Sequence, residues 1–138
     1  MGEAQEKKVG IISCSGEDCV EGTISRVATR QALGKLRPDE TVTICLPLFL
    51  AGGREEREFA RDYPTITVDG CDKMCAKVAT ERYSGKPAST IVVTDVLKNL
   101  HCPKLSSRRK LNNEALAVAE KVAEKIAEEV DEVLRHWV

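Results

Sequence analysis

The chain has 138 residues, a length typical of one domain with its own hydrophobic core. Hydrophobic residues make up 42% and charged residues 31%, which excludes a disordered tail. The 21 basic and 22 acidic side chains leave a net charge of −1, and only five residues are aromatic. This balance gives no overall attraction to nucleic acid or to an anionic membrane surface, so we expect neither partner.

The apolar segments are too short to place the chain in a membrane. The longest, from Ile44 to Gly53, contains Pro47 and falls well short of the ~20 residues that span a bilayer. Residues 1–8 are charged and lead directly into a strand-like segment, unlike a secretory signal peptide. We therefore expect a cytoplasmic protein.

Strand and helix patterns alternate along the chain. Short β-branched or apolar runs predict four strands, at Val9 to Ser13, Thr41 to Leu46, Thr65 to Val68 and Thr90 to Thr94. Apolar spacing, charge density and capping residues predict the intervening helices, at Thr23 to Leu36, at Arg54 to Arg61 and from Asp72 to Gly85. Pro47 to Gly53 is predicted as a loop, and a long helix is predicted from Leu111 to Trp137.

Alternating strands and helices favour right-handed crossovers and a parallel sheet. We predict a three-layer α/β domain with a mostly parallel four-stranded sheet, flavodoxin- or Rossmann-like, spanning residues 1–138. Its core covers residues 9–98, and the terminal helix about 111–137. The apolar stripe of that helix would pack on the core or form a homodimer. The threonines in strands two and three are unusual for buried parallel strands, which are normally apolar throughout.

Six cysteines are the main anomaly, at positions 14, 19, 45, 71, 75 and 102. Cys14, Cys45 and Cys71 each come at the end of a predicted strand, and Cys75 follows four residues after Cys71. The carboxyl ends of parallel strands share one sheet edge, where ligands bind. If strand one lies between the other two, strand spacing of ~4.8 Å allows the sulfurs to approach the ~3.8 Å separation of a tetrahedral zinc site. The sequence therefore predicts zinc binding.

The same features support a second function. Cys71 and Cys75 lie near the predicted start of a helix, where the helix dipole lowers a thiol pKa and makes the thiol reactive. A thiol-dependent redox or sulfur-transfer enzyme would use Cys71 as nucleophile and Cys75 as resolving thiol. An iron–sulfur protein is a third reading. Asp69 could orient the thiol loop or be an ordinary turn residue.

Four short motifs resemble the DGC domain family across residues 9–98: Cys14-Ser15-Gly16, Asp69-Gly70-Cys71, Cys75-Ala76-Lys77, and Thr94-Asp95 with Lys98. The resemblance implies a zinc-binding protein whose biochemical role is unassigned. It implies four cysteine ligands, which by position are Cys14, Cys45, Cys71 and Cys75. Cys19 and Cys102 lie outside that pattern, and either could replace Cys45.

Overall fold

A computed structural model describes residues 7–14, 19–98 and 110–137. Its strands are β1 (Val9–Ser13), β2 (Thr41–Thr43), β3 (Thr65–Asp69) and β4 (Ser89–Val92). Its helices are α1 (Val20–Gln31), α2 (Leu46–Leu50), α3 (Arg54–Asp62), α4 (Cys75–Tyr83), α5 (Val93–Lys98) and α6 (Asn113–Arg135). A π-helical segment, Ala32–Leu36, continues α1. Cys102 lies outside the described residues.

The four strands form one sheet in the order β2-β1-β3-β4, with every neighbouring pair parallel. This confirms the predicted parallel α/β sheet, and β1 lies between β2 and β3 as the zinc geometry requires. The register pairs Ile11 with Thr43 on one side and with Ile66 on the other. The three thiol-bearing strand ends consequently face the same edge.

Helices cover both faces of the sheet and make three layers. On one face, the buried side chains of α1 and α6 form the larger apolar cluster with Ile11 and Val68. On the other, Phe49 of α2 and Phe59 of α3 pack with Ile12 and with α4 in a smaller cluster. Neighbouring residues of β1 thus enter opposite cores, as the alternation of side chains along a strand requires.

Two short helices differ from the sequence-based expectation. The segment predicted as the end of strand two and a loop contains α2, and α5 begins directly after β4. α2 forms because Pro47 suits a first helical turn and because Leu46 and Phe49, three residues apart, both enter the core. The guanidinium of Arg57 donates hydrogen bonds to the carbonyls of Phe49 and Leu50, each at 3.1 Å, and so satisfies the end of α2.

The threonines of the sheet hydrogen-bond through their hydroxyl groups. Thr65 Oγ1 donates to the carbonyl oxygen of Tyr63 at 2.9 Å, and Thr67 Oγ1 donates to Thr90 Oγ1 at 3.3 Å; both threonines are fully buried. These partners remove most of the cost of burying a hydroxyl. A buried strand therefore tolerates threonine here in place of a fully apolar sequence.

The long terminal helix closes the larger core. Asn112 caps α6 by accepting a hydrogen bond from the backbone of Ala115 at 2.8 Å. The apolar face of α6 is buried mainly against α1, whereas Leu116 keeps 41% of its surface exposed. Association through this helix stays a prediction. No helix in the described part of the chain is long and apolar enough to cross a membrane.

A bidentate ion pair ties α6 to the turn before β2. Arg37 donates from Nε and Nη2 to the two carboxylate oxygens of Asp131, at 2.9 and 2.7 Å. The Arg37 hydrogen bonds hold the pKa of Asp131 below its ordinary value. The carboxylate form is therefore the one that the folded state favours.

Candidate functional site

The predicted thiols lie where the strands of the sheet end. Cys14 follows β1 directly, and its backbone N–H donates to the carbonyl of Val68 in β3 at 3.0 Å. Cys71 lies in the loop after β3, Cys75 is the first residue of α4, and Cys45 immediately precedes α2. The cysteines among the described residues all carry free thiols.

The structure brings four thiols close to one another. Cys14 and Cys71 are electrostatic neighbours of Cys75. Burial raises the pKa of the Cys19 thiol at the N-cap of α1, and Cys71 is among the neighbours that add to this rise. Three of the predicted ligands and one additional thiol therefore share the carboxyl edge of the sheet.

Cys45 is placed differently. It is exposed, and it is not among the neighbours that shift the thiols of Cys19 and Cys75 in the described residues. Its position along the sheet is nevertheless favourable. The β1–β2 register pairs Val9 with Thr41 and Ile11 with Thr43, and continuing it by two residues sets Cys45 level with the last residue of β1. Cys14 directly follows Ser13, the last residue of β1.

Ser25 is a polar neighbour of the site that the sequence did not reveal. Its buried hydroxyl donates to the carbonyl of Gly22 at 2.6 Å and lies 3.0 Å from the sulfur of Cys14. The Cys14 sulfur and the Ser25 hydroxyl therefore share a hydrogen bond next to the Gly22 carbonyl, which lies 3.9 Å from that sulfur. A serine in the middle of a helix gives no sequence signal of such a role.

Asp69 fixes the start of α4. Its buried carboxylate accepts the backbone N–H groups of Ala76 at 2.7 Å and Lys77 at 3.1 Å. Asp72, predicted as the cap, is exposed, while Met74 occupies the N-cap with φ 50° and ψ 48°. Burial raises the pKa of Asp69, and the two backbone hydrogen bonds oppose that rise. Asp69 thus positions the thiol-bearing loop.

This cap changes the expected reactivity of Cys75. The thiol pKa was expected to fall at the helix start, but the pKa of Cys75 is raised. Partial desolvation is the largest cause, followed by the negative charge of Asp69 and by the neighbouring Cys14 and Cys71, while Lys73 opposes the shift. The lowered thiol pKa expected for one of the two cysteines at this helix start is thus not found at Cys75, because burial disfavours its thiolate and the Asp69 carboxylate adds negative charge.

Gly70 allows α1 to approach the loop after β3. A Cβ atom at Gly70 would lie 2.3 Å from the backbone nitrogen of Gly22 and 2.6 Å from the carbonyl carbon of Glu21. These neighbours are helix backbone, which cannot swing aside as a flexible side chain can. A side chain at position 70 would therefore separate α1 from the thiol loop.

A family model of the DGC domain matches residues 10–130 of the 138-residue chain. The chain belongs to the DGC domain family. No curated protein and no solved structure matches it. The match confirms the resemblance of the sequence motifs and extends it through most of α6.

The three residues of the DGC motif have three separate structural roles in this chain. Asp69 caps α4, Gly70 admits the start of α1, and Cys71 provides the thiol. The start of α5 stabilises the same loop, because the backbone N–H of Thr94 donates to the carbonyl of Gly70 at 3.2 Å. Asp95 pairs with Lys98 at 3.3 Å on the exposed surface nearby.

The donor atoms of this DGC domain suit a thiophilic metal. Sulfur donors favour Zn²⁺ over magnesium or calcium. Within residues 7–14, 19–98 and 110–137, no three histidine, cysteine or acidic side chains already form a metal-binding group. The Cys14 sulfur is hydrogen-bonded to Ser25. Metal binding at Cys14 would have to replace that hydrogen bond, and binding by thiolates would release the thiol protons.

Proposed function

We propose that the protein binds one zinc ion through the thiolates of Cys14, Cys45, Cys71 and Cys75. The observation that carries the proposal is the gathering of Cys14, Cys71 and Cys75 at the carboxyl edge of a parallel sheet, from different chain segments. Four thiolates fill a tetrahedral zinc site and leave no open position for a substrate. Such a site would be structural, and it would link the ends of β1, β2 and β3.

The fourth ligand is assigned to Cys45 by its position. The pairing register brings Cys45 level with the end of β1, one residue from Cys14. Cys45 is carried by the start of α2, a helix of five residues in the smaller core. A short helix with few buried side chains can shift at low cost, which would let Cys45 close on the other three thiols.

The charge of the site is partly balanced. Zn²⁺ with four thiolates carries a net charge of −2, which must be offset nearby. Lys73 is close enough to Cys75 to favour its thiolate form. The N-terminal N–H groups of α4 are engaged by Asp69, so they hold the loop in place and do not neutralise the thiolates.

A metal titration with single-cysteine variants tests the proposal. We expect the reduced wild-type protein to bind one equivalent of zinc against a competing chelator, with about four thiols becoming titratable when the metal is removed. Cys71→Ser, Cys75→Ser, Cys14→Ser and Cys45→Ser should each lower the affinity by about a hundredfold or more, above the ~10–100-fold effect of losing an outer-shell partner.

Cys19→Ser is the matched control, because Cys19 lies at the same sheet edge but outside the proposed ligand set. It should keep wild-type stoichiometry and affinity. Stoichiometric zinc that survives Cys71→Ser and Cys75→Ser would contradict the proposal. A metal-free protein with all thiols titrating freely would favour the thiol-enzyme alternative at Cys71 and Cys75.

A further inference from the structure

The Cys14 thiol is held by α1 as well as by the sheet. Its backbone N–H donates to the carbonyl of Val68 in β3 at 3.0 Å, so the main chain of Cys14 continues the strand pairing. Its sulfur lies 3.0 Å from the hydroxyl oxygen of Ser25 and 3.9 Å from the carbonyl oxygen of Gly22, both in α1. Two elements from separate parts of the chain therefore determine where this sulfur lies.

Ser25 is itself firmly placed. Its side chain is fully buried, and its hydroxyl donates to the carbonyl of Gly22 at 2.6 Å. The neighbouring Ile24 and Ala28 of the same helix are buried in the larger core, against α6. Because the Ser25 hydroxyl is removed from water, its hydrogen bonds depend on the protein groups beside it, the Gly22 carbonyl and the Cys14 sulfur.

Ionisation of Cys14 fixes the direction of this hydrogen bond. Between a thiol and a hydroxyl, either group can be the donor. A thiolate has no proton and can only accept, so Ser25 has to donate once Cys14 binds a metal. The hydroxyl then turns from the Gly22 carbonyl to the sulfur. As a carbonyl inside a helix, that of Gly22 keeps the N–H of Arg26, four positions further on, as its partner.

We propose that Ser25 is a positioning residue of the zinc site, which donates a hydrogen bond from its hydroxyl to the Cys14 thiolate. Hydrogen bonds to a charged acceptor are the stronger ones, so this contact stabilises the negative sulfur as well as fixing its place. Ser25 does not bind the metal and acts through Cys14 alone. This role rests on the proposed zinc site, because it assigns a hydrogen-bond donor to one of its four ligands.

The charge of the proposed site explains why such a donor matters. Four thiolates leave zinc with excess negative charge, and the N–H groups at the start of α4 are already engaged by Asp69. A hydroxyl supplied by α1 provides stabilisation that this helix start does not. Hydrogen bonds from such outer-shell groups contribute ~10–100-fold to metal affinity.

The zinc affinity of two matched variants tests the proposal. Ser25→Ala removes the hydroxyl and keeps a good helix former, and we expect it to bind zinc ~10–100-fold more weakly than the wild type, with unchanged stoichiometry. Thr29→Val is the control, because it removes another buried hydroxyl of α1, which has no hydrogen-bond partner among the described residues. This control should bind zinc as the wild type does. Unchanged affinity in Ser25→Ala, or equal losses in both variants, would overturn the proposal.

Cobalt binding separates positioning from a general loss of structure. Co²⁺ can replace zinc at thiolate sites, and its sulfur-to-metal charge-transfer absorption depends on the electron density of the sulfurs. Loss of a hydrogen bond to one thiolate raises the energy of the sulfur electrons. Ser25→Ala should therefore shift this absorption to longer wavelength, whereas Thr29→Val should leave it in place. A Ser25→Ala spectrum identical to that of the wild type would overturn the proposal, even with a lower affinity.

The same measurements distinguish failure of this role from failure of the zinc site. A wild-type protein that binds neither zinc nor cobalt would overturn the proposed function, and the role of Ser25 with it. Wild-type binding that depends on Cys14 but is unchanged in Ser25→Ala would leave the zinc site standing and remove only the role of Ser25.

Discussion

The two faces of the sheet differ in how firmly they hold the helices that cover them. The face covered by α1 and α6 contains a continuous aliphatic core with the long helix α6 packed across it. The face covered by α2, α3 and α4 contains a smaller cluster centred on Phe49 and Phe59. Leu48 and Leu50, both on the short helix α2, keep 48% of their surface exposed. We therefore expect the first face to be the more rigid support.

The thiols are divided between these two supports. Cys19 belongs to the start of α1 on the larger core, and Cys71 is held against it through Gly70. Cys45 and Cys75 are carried by α2 and α4 on the smaller core. We therefore expect Cys19 and Cys71 to stay fixed in position and Cys45 and Cys75 to adjust to a ligand.

Matched substitutions on β1 should show the largest difference between the faces. Ile11 and Ile12 are both fully buried on the same strand, but they enter the larger and the smaller core respectively. We expect Ile11→Ala to cost about 4 kcal/mol and Ile12→Ala about 2 kcal/mol, because the layer containing α2 can collapse further into the space left behind. Chemical denaturation with a shared m-value measures both. Equal costs would show that the two cores are equally rigid.

The capping of α4 should have an intermediate effect on the smaller face. Asp69→Ala leaves the N–H groups of Ala76 and Lys77 without their carboxylate, and we expect a loss of about 1.5 kcal/mol of unfolding free energy. The control is Asp72→Ala, which changes an exposed residue of the same loop and should have little effect. A larger loss of stability from Asp72→Ala than from Asp69→Ala would show that Asp72 caps α4.

The ion pair on the larger face should have the smallest effect. The folded state lowers the pKa of Asp131, so the contribution is present above the unfolded-state pKa and is lost as pH falls through the folded-state pKa. Because 44% of the Asp131 side chain is exposed, we expect only about 0.5 kcal/mol. Denaturation of Asp131→Asn at neutral and acidic pH measures it, with Glu124→Gln on the same helix as the control. A difference that grows toward acid pH would contradict this sign.

The sequence predicted the framework of the fold because its signals are local. The residues of β1 form a strand by their own apolar pattern, and α6 follows from apolar spacing over many turns. The same reasoning failed between Ile44 and Leu50, where a short apolar run fits a buried strand and a buried helix equally well. The helix is favoured by tertiary packing, because it buries Phe49 in the smaller core.

The site was predicted less completely because its contacts join distant segments. Strand ends brought Cys14, Cys71 and Cys75 to one edge, as parallel topology requires. The approach of Cys19 to Cys71 depends on a contact between two glycines 48 positions apart, at 22 and 70, which no local pattern reveals. The cap at Asp69 was likewise missed, because capping residues are sought directly before the predicted helix start, and Asp72 is the acidic residue found there.

The contact between Gly22 and Gly70 has a consequence for how this chain can vary. A Cβ at position 70 would meet main-chain atoms of Glu21 and Gly22, so a larger residue there has no side chain opposite it that could be made smaller. Compensation would require moving α1 as a whole, together with the long helix packed on it. In a randomised library we expect position 70 to return glycine alone, whatever else is allowed to change around it.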